Sequence, residues 1–60
     1  MKELKSNLTM LNTYAYEYGE DRTLYALFGQ TCANFGTEVV CEAFDKIEYP
    51  DLWKIFNKKI

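Results

Sequence analysis

The stretch TYAYEYGED, Thr13–Asp21, decides how this chain folds, because two structural periods compete in it. Tyr14, Tyr16 and Tyr18 alternate with other residues, as in a half-buried strand. A strand needs a pairing partner, however, and TEVVCEAF, residues 37–44, is a single weak candidate, so that only a marginal hairpin would result. Apolar residues in and before the stretch recur instead at steps of four and three, which is typical of an amphipathic helix; they are Leu4, Leu8, Leu11, Ala15 and Tyr18. We therefore predict a helix to about Tyr18, with Tyr14 and Tyr18 packing on one face and Tyr16 pointing elsewhere.

Glycine, proline and capping residues divide the rest of the chain into further helices. Gly19 ends the first helix, and Asp21 is a good N-cap for a second. Gly36 is suited to ending that helix, Thr37 is a plausible N-cap for a third, and Pro50 favours the first turn of a fourth. The sequence therefore predicts an all-α fold, a small bundle of three to four short helices in a single domain over residues 1–60, with a tight helix-Gly-helix corner at Gly36.

The inner and final helices carry their own apolar faces. The third is predicted to bury Val40, Ala43, Phe44 and Ile47, and the fourth Leu52, Ile55, Phe56 and Ile60. Gly29 lies inside the second helix, where it costs up to about 1 kcal/mol relative to alanine, and it would allow a close helix crossing.

Composition and charge bound the class of protein. The 60 residues are 48% hydrophobic, which is too apolar for a disordered segment. Their net charge of −2 argues against a nucleic-acid-binding protein that relies on phosphate contacts, because such domains are usually basic. No apolar run approaches a membrane span of roughly 20 residues, and the first residues lack the apolar stretch of a signal peptide. We expect a cytoplasmic protein in which Cys32 and Cys41 are reduced thiols that pack in the core.

Catalytic chemistry is not expected. The chain has no histidine, so the commonest general base and metal ligand is missing, and its single serine, Ser6, has no imidazole to activate it. Neither a glycine-rich phosphate loop nor a zinc-type cysteine pattern is present. The sequence predicts no enzyme, no cofactor and no metal site.

An acidic stripe is the most suggestive surface. Between residues 38 and 51 there are five acids and one base, Lys46; the acids, named here the acidic face, are Glu38, Glu42, Asp45, Glu48 and Asp51. Carboxylates spaced by about one helical turn can bind a basic surface of a protein partner and speed the association. The alternative interpretation is an ordinary solvated surface, which any surface helix needs.

Two aromatic residues are further partner-binding candidates. Tyr16 would be exposed on a helical first segment, and Trp53 follows Pro50 in an amphipathic segment. Tryptophan is enriched in interface hot spots, although a single Trp in so small a domain also commonly closes the core.

The run FDKIEYPDLWK, Phe44–Lys54, is similar to the C-terminal end of the Hha/YmoA family of small helical modulators, where an aromatic-Asp-Lys-Ile run leads into a Pro and a Trp-Lys. Glu48 and Tyr49 interrupt that pattern, and the family's charged stretch before the run has no counterpart here. The resemblance implies a small helical protein that acts through a protein partner, but it covers eleven residues and does not assign the chain to the family.

Three hypotheses of function follow. The first is a small acidic regulator or inhibitor, encoded by a phage or another mobile element, that binds a nucleic-acid-handling protein. The second is a dimeric helix-turn-helix-like DNA-binding regulator built from the helices around Gly36; Glu38, Glu42 and Asp45 on its recognition helix would be repelled by phosphates. The third is a structural homo-oligomer that covers its excess aromatic surface by self-contact.

Overall fold

The computed structural model describes the backbone of residues 2–56 and the side chains of residues 3–56. Within this range the chain forms four helices and no strand: α1 (Lys2–Tyr18), α2 (Arg22–Phe35), α3 (Thr37–Ala43) and α4 (Pro50–Phe56). The predicted all-α bundle is confirmed. None of these helices combines the length and the apolar character of a membrane span. Ile60, expected on the apolar face of the fourth helix, lies outside the described residues.

Helix α1 resolves the competition between strand and helix, because its apolar stripe is the centre of the core. Four of the five predicted stripe residues are buried, and the helix packs against both α2 and α4. The fifth, Tyr18, is 67% exposed, so its predicted burial is wrong, although it shares a helical face with Tyr14 as predicted. Its ring lies 4.7 Å from that of the half-buried Tyr14, and Tyr18 is the last residue of α1.

The connection between α1 and α2 is held by Asp21. Gly19 takes a positive φ of 77° where the first helix ends. One carboxylate oxygen of Asp21 accepts a hydrogen bond of 2.8 Å from the backbone N–H of Leu24, which is the predicted N-cap interaction. The other accepts a hydrogen bond of 3.0 Å from the hydroxyl of Tyr14, so the cap of α2 is also tied to the side of α1.

The corner between α2 and α3 consists of a single residue. Gly36 donates from its N–H to the carbonyl of Cys32, at 2.8 Å, and accepts from the N–H of Val40, at 3.0 Å. Its φ of 96° lies in the region that favours glycine. The prediction of Thr37 as the N-cap is wrong by one position, since Gly36 both ends α2 and caps α3.

Helix α3 is shorter than its apolar pattern predicted. Phe44 is extended, with ψ of 97°, and the side chain of Asp45 accepts a hydrogen bond of 2.7 Å from the N–H of Ile47, which stabilises a turn. Ile47 is therefore 82% exposed instead of buried. The close crossing predicted at Gly29 is also wrong, because a Cβ there would have no neighbouring atom within 4 Å.

The core has an aliphatic centre and an aromatic edge. Its buried apolar residues are Leu4, Leu8, Leu11, Ala15, Leu24, Val40, Tyr49 and Leu52. Against them pack the rings of Phe28, Phe44 and Phe56, with those of Phe28 and Phe56 stacked at 4.1 Å. The exposed Tyr25 extends this edge through an edge-on contact with Phe56. These rings link α2, the turn after α3, and α4.

Candidate functional site

The acidic face spans three successive elements. Glu38 and Glu42 are exposed on α3, one helical turn apart. Asp45 and Glu48 are exposed in the turn that links α3 to α4. Asp51 is half-buried in the first turn of α4, where the helix dipole favours a negative charge.

Three of the five acids meet at one groove. Glu42, Asp45 and Glu48 line an open groove of about 300 Å³ between the turn after α3 and the first part of α1, and Ala43 and Tyr49 complete its wall. We name it the acidic groove. Neither Glu38 nor Asp51 lines it, so the structure divides the predicted face into a cluster of three and two flanking charges.

The balance of charge in the acidic groove is negative. Lys5, on α1, is the one base among its lining residues, against three carboxylates. Within the part of the chain that the structure describes, no salt bridge engages Glu42 or Glu48. Lys46 does not line the groove, and its Nζ lies 5.5 Å from the centre of the Trp53 ring. The groove therefore carries more carboxylates than its own bases neutralise.

The turn that carries two of these acids is itself well ordered by hydrogen bonds. Asp45 uses its side chain to bind the N–H of Ile47 and its carbonyl oxygen to bind the N–H of Tyr49, at 2.8 Å. The carbonyl of Tyr49 then accepts from the N–H of Trp53, also at 2.8 Å, which begins α4. The groove is thus built on backbone that is tied to a helix at each end.

Tyr49 joins the acidic groove to the core. Its side chain is 4% exposed and belongs to the buried apolar cluster, yet it lines the groove. Sequence reasoning missed it as a site residue and noted it only as an interruption of a family-like pattern. The sequence offered no local signal for it, because a residue in a turn has no periodicity from which burial can be read. Lys5 was also missed, since nothing local relates it to residues some forty positions away.

The two aromatic candidates are not part of the groove. Tyr16 is 75% exposed on α1, as expected for a residue off the packing face, and it does not line the groove. Trp53 is half-buried on α4 beneath the ammonium of Lys46. The groove therefore brings three of the acids together without Tyr16 or Trp53.

The two cysteines differ in exposure, and neither belongs to a metal-binding cluster among the described residues. No group of three or more Cys, Asp or Glu side chains among them is arranged to hold a metal ion. Cys32 is half-buried and Cys41 is exposed, so the predicted core position is wrong for Cys41. Burial, and secondarily the neighbouring Cys41, raises the pKa of the Cys32 thiol, which lowers its nucleophilicity near neutral pH.

Comparisons with protein-family models, with curated proteins and with solved structures found no match to this chain. The short likeness of Phe44–Lys54 to the Hha/YmoA family is therefore not supported by a family match. Its interrupting residue Tyr49 is a core residue here.

Proposed function

We propose that this chain is a small acidic regulator or inhibitor that acts by binding another protein, with the acidic face as its binding surface. The observation that supports this most is the meeting of Glu42, Asp45 and Glu48 at one groove, with Lys5 as the single base. A nucleic-acid-handling protein fits as the partner, because its phosphate-binding surface is basic. A phage or another mobile element as the source belongs to the same proposal and rests on size and charge alone.

The physical role of the acidic face is steering and orientation. An exposed ion pair contributes only about 0–1 kcal/mol, so a row of carboxylates does not by itself give tight binding. It does raise the association rate with a basic surface, and this effect weakens as salt is added. The binding is therefore expected to depend strongly on ionic strength. A cytoplasmic location is consistent with the two free thiols.

The test begins with affinity capture of the partner from the native host and its identification by mass spectrometry. Binding of the purified partner is then compared for wild type and the double variant Glu42→Lys, Asp45→Lys. A matched control, Glu3→Lys with Glu17→Lys, changes the net charge equally at exposed positions of α1 outside the groove. Circular dichroism checks that both variants remain helical.

We expect the groove variant to lose binding and the control variant to keep it. Equal binding by wild type and both variants would reject the acidic face as the binding surface. A salt-sensitive mobility shift of duplex DNA would favour the helix-turn-helix alternative, although Glu38 and Glu42 lie exposed on α3, where phosphates would repel them. Sedimentation as a monomer at micromolar concentration would reject the structural homo-oligomer.

A further inference from the structure

We propose that the acidic groove is a receptor for one arginine side chain of the partner, with the Tyr49 hydroxyl acting beside the carboxylates of Glu42, Asp45 and Glu48. This inference rests on the proposed function, because it names the chemical group that the acidic face recognises. It adds a residue, Tyr49, and a preference for a guanidinium over an ammonium.

The first argument is the state of the Tyr49 hydroxyl. Tyr49 is only 4% exposed, which means that it is 96% buried. Its hydroxyl nevertheless makes no hydrogen bond among the described residues. Fully buried side-chain N and O atoms in the same part of the chain all have hydrogen-bond partners. The hydroxyl must therefore reach solvent, and we infer that it does so at the groove, because Tyr49 is one of the residues that line it. The ring is buried, so the hydroxyl is held in place, and its hydrogen-bonding capacity is available to a ligand because no group of the described residues uses it.

The second argument is the type of groups that surround the groove. Three carboxylates and a tyrosine oxygen can accept hydrogen bonds, and Lys5 is the one base among the residues that line the groove. A ligand rich in donors and carrying positive charge satisfies such a site. Since three negative charges stand against one positive charge, a singly charged guanidinium is still attracted.

The third argument distinguishes arginine from lysine. A guanidinium presents five N–H donors in a rigid plane and binds carboxylates in pairs of parallel hydrogen bonds, whereas an ammonium is a compact charge with three donors. The acceptors of the groove come from three places, α3, the turn and Tyr49, so a planar group with five donors can bond to more of them than a compact ammonium with three. The volume of about 300 Å³ suits one side chain, since it lies at the lower end of ligand pockets.

The experiment uses two probes of equal charge, a short peptide of alternating arginine and glycine and its lysine counterpart. Each is titrated into the ¹⁵N-labelled chain at low salt, and amide shifts of residues 42–49 report binding at the groove. The arginine peptide is expected to bind more tightly and to shift these amides. Removing the Lys5 ammonium with Lys5→Gln is expected to strengthen its binding, since a like charge is lost.

The decisive variant is Tyr49→Phe, which removes the hydroxyl and keeps the buried ring. It is expected to weaken arginine-peptide binding by about threefold to tenfold, the effect of one hydrogen bond, with an unchanged thermal midpoint. The matched control Tyr16→Phe removes an exposed hydroxyl outside the groove and is expected to change neither. If Tyr49→Phe loses helicity, Glu48→Gln and Lys5→Gln, both at exposed positions, test the site with opposite signs.

The outcomes separate this inference from the proposed function. Equal binding of the two peptides, or no effect of Tyr49→Phe in a folded variant, overturns the arginine receptor even where Glu42→Lys with Asp45→Lys still abolishes binding of the captured partner. Loss of the arginine preference with Tyr49→Phe and a gain with Lys5→Gln support it. If the charge reversals leave partner binding and peptide binding unchanged, the receptor and the acidic binding face are both rejected.

Discussion

The backbone N–H of Leu52 donates a hydrogen bond of 2.9 Å to the side-chain oxygen Oδ1 of Asn12, forty residues earlier in the chain. Leu52 is the third residue of α4, and the N–H groups of a first helical turn have no partner within the helix. A side chain just before the helix usually supplies the acceptor, but Tyr49 occupies that position and its side chain is buried in the core. Asn12, on α1, therefore caps α4 from a neighbouring helix.

Replacement of Asn12 should expose the contribution of this cap. Asn12→Ala is expected to lower the free energy of unfolding by about 1 kcal/mol more than Asn7→Ala, measured by urea denaturation. Asn7 is also half-buried on α1, but its side chain makes no hydrogen bond among the described residues. Asn7→Ala therefore gives the same gain in helix propensity as Asn12→Ala without the loss of a cap. Asn12→Asp keeps an acceptor and should retain most of the stability. Equal losses for Asn12→Ala and Asn7→Ala would show that the cap adds nothing.

The two glycines of the α2–α3 unit should respond to alanine with opposite signs. Gly29 is helical, exposed and free of neighbours, so Gly29→Ala is expected to stabilise the fold by up to about 1 kcal/mol. Gly36 also has room for a Cβ, whose nearest neighbour would be a Val39 methyl at 3.9 Å, but its φ is 96°. Gly36→Ala should therefore destabilise by about 1–2 kcal/mol through backbone strain. Thermal unfolding of the pair measures both, and a stabilising Gly36→Ala would contradict the one-residue corner.

Tyr14 is expected to make the fold sensitive to alkali. Burial, and then its hydrogen bond to Asp21, raises the pKa of Tyr14 above its ordinary value of 10.0. Because its pKa is higher in the folded than in the unfolded state, Tyr14 contributes its full stabilisation below about pH 10, where its hydroxyl is protonated in both states. That contribution is lost as the pH rises through the folded-state pKa. The stability difference between wild type and Tyr14→Phe should therefore stay constant up to about pH 10 and then shrink, as measured by urea unfolding across that range.

A charge-removing variant is the control for this pH dependence. Asp21→Asn keeps an oxygen for the N–H of Leu24 and removes the negative charge beside the tyrosine hydroxyl. The alkaline loss of stability should be smaller in this variant. A loss as large as in wild type would assign the raised pKa to burial alone.

The two thiols should differ in their reaction with iodoacetamide. Cys41 is exposed, whereas Cys32 is half-buried and its pKa is raised by burial, so less of it is thiolate near pH 8. Cys41 is expected to be alkylated first in the folded protein, as read by fragment-ion mass spectrometry. The rates should converge in concentrated urea, where burial is lost. Faster labelling of Cys32 in the folded protein would contradict its placement against the core.

The helices could be predicted because their signals are local. The stripe from Leu4 to Ala15 has helical spacing, and Asp21 and Pro50 mark helix starts through interactions within a few residues. The same kind of reasoning extended α3 too far, to Ile47. The apolar pattern continues past Ala43, but the Asp45 side chain bonds to the N–H of Ile47 and competes with helical backbone bonding.

The candidate site was predictable only in part. Local spacing identified Glu42, Asp45 and Glu48 as acids on one stretch of chain. It did not identify Tyr49 as the buried ring beside them, because a turn has no periodicity from which burial can be read.

The sequence by itself determined the four helices, the glycine corner and the surplus of acids between residues 38 and 51, since each depends on residues close together in the chain. Only the tertiary structure decided that Lys5 faces three of those acids across a groove and that Asn12 caps α4. These pairings depend on how α1 packs against the end of the chain. Helix packing angles follow from the whole set of buried side chains and not from any single segment.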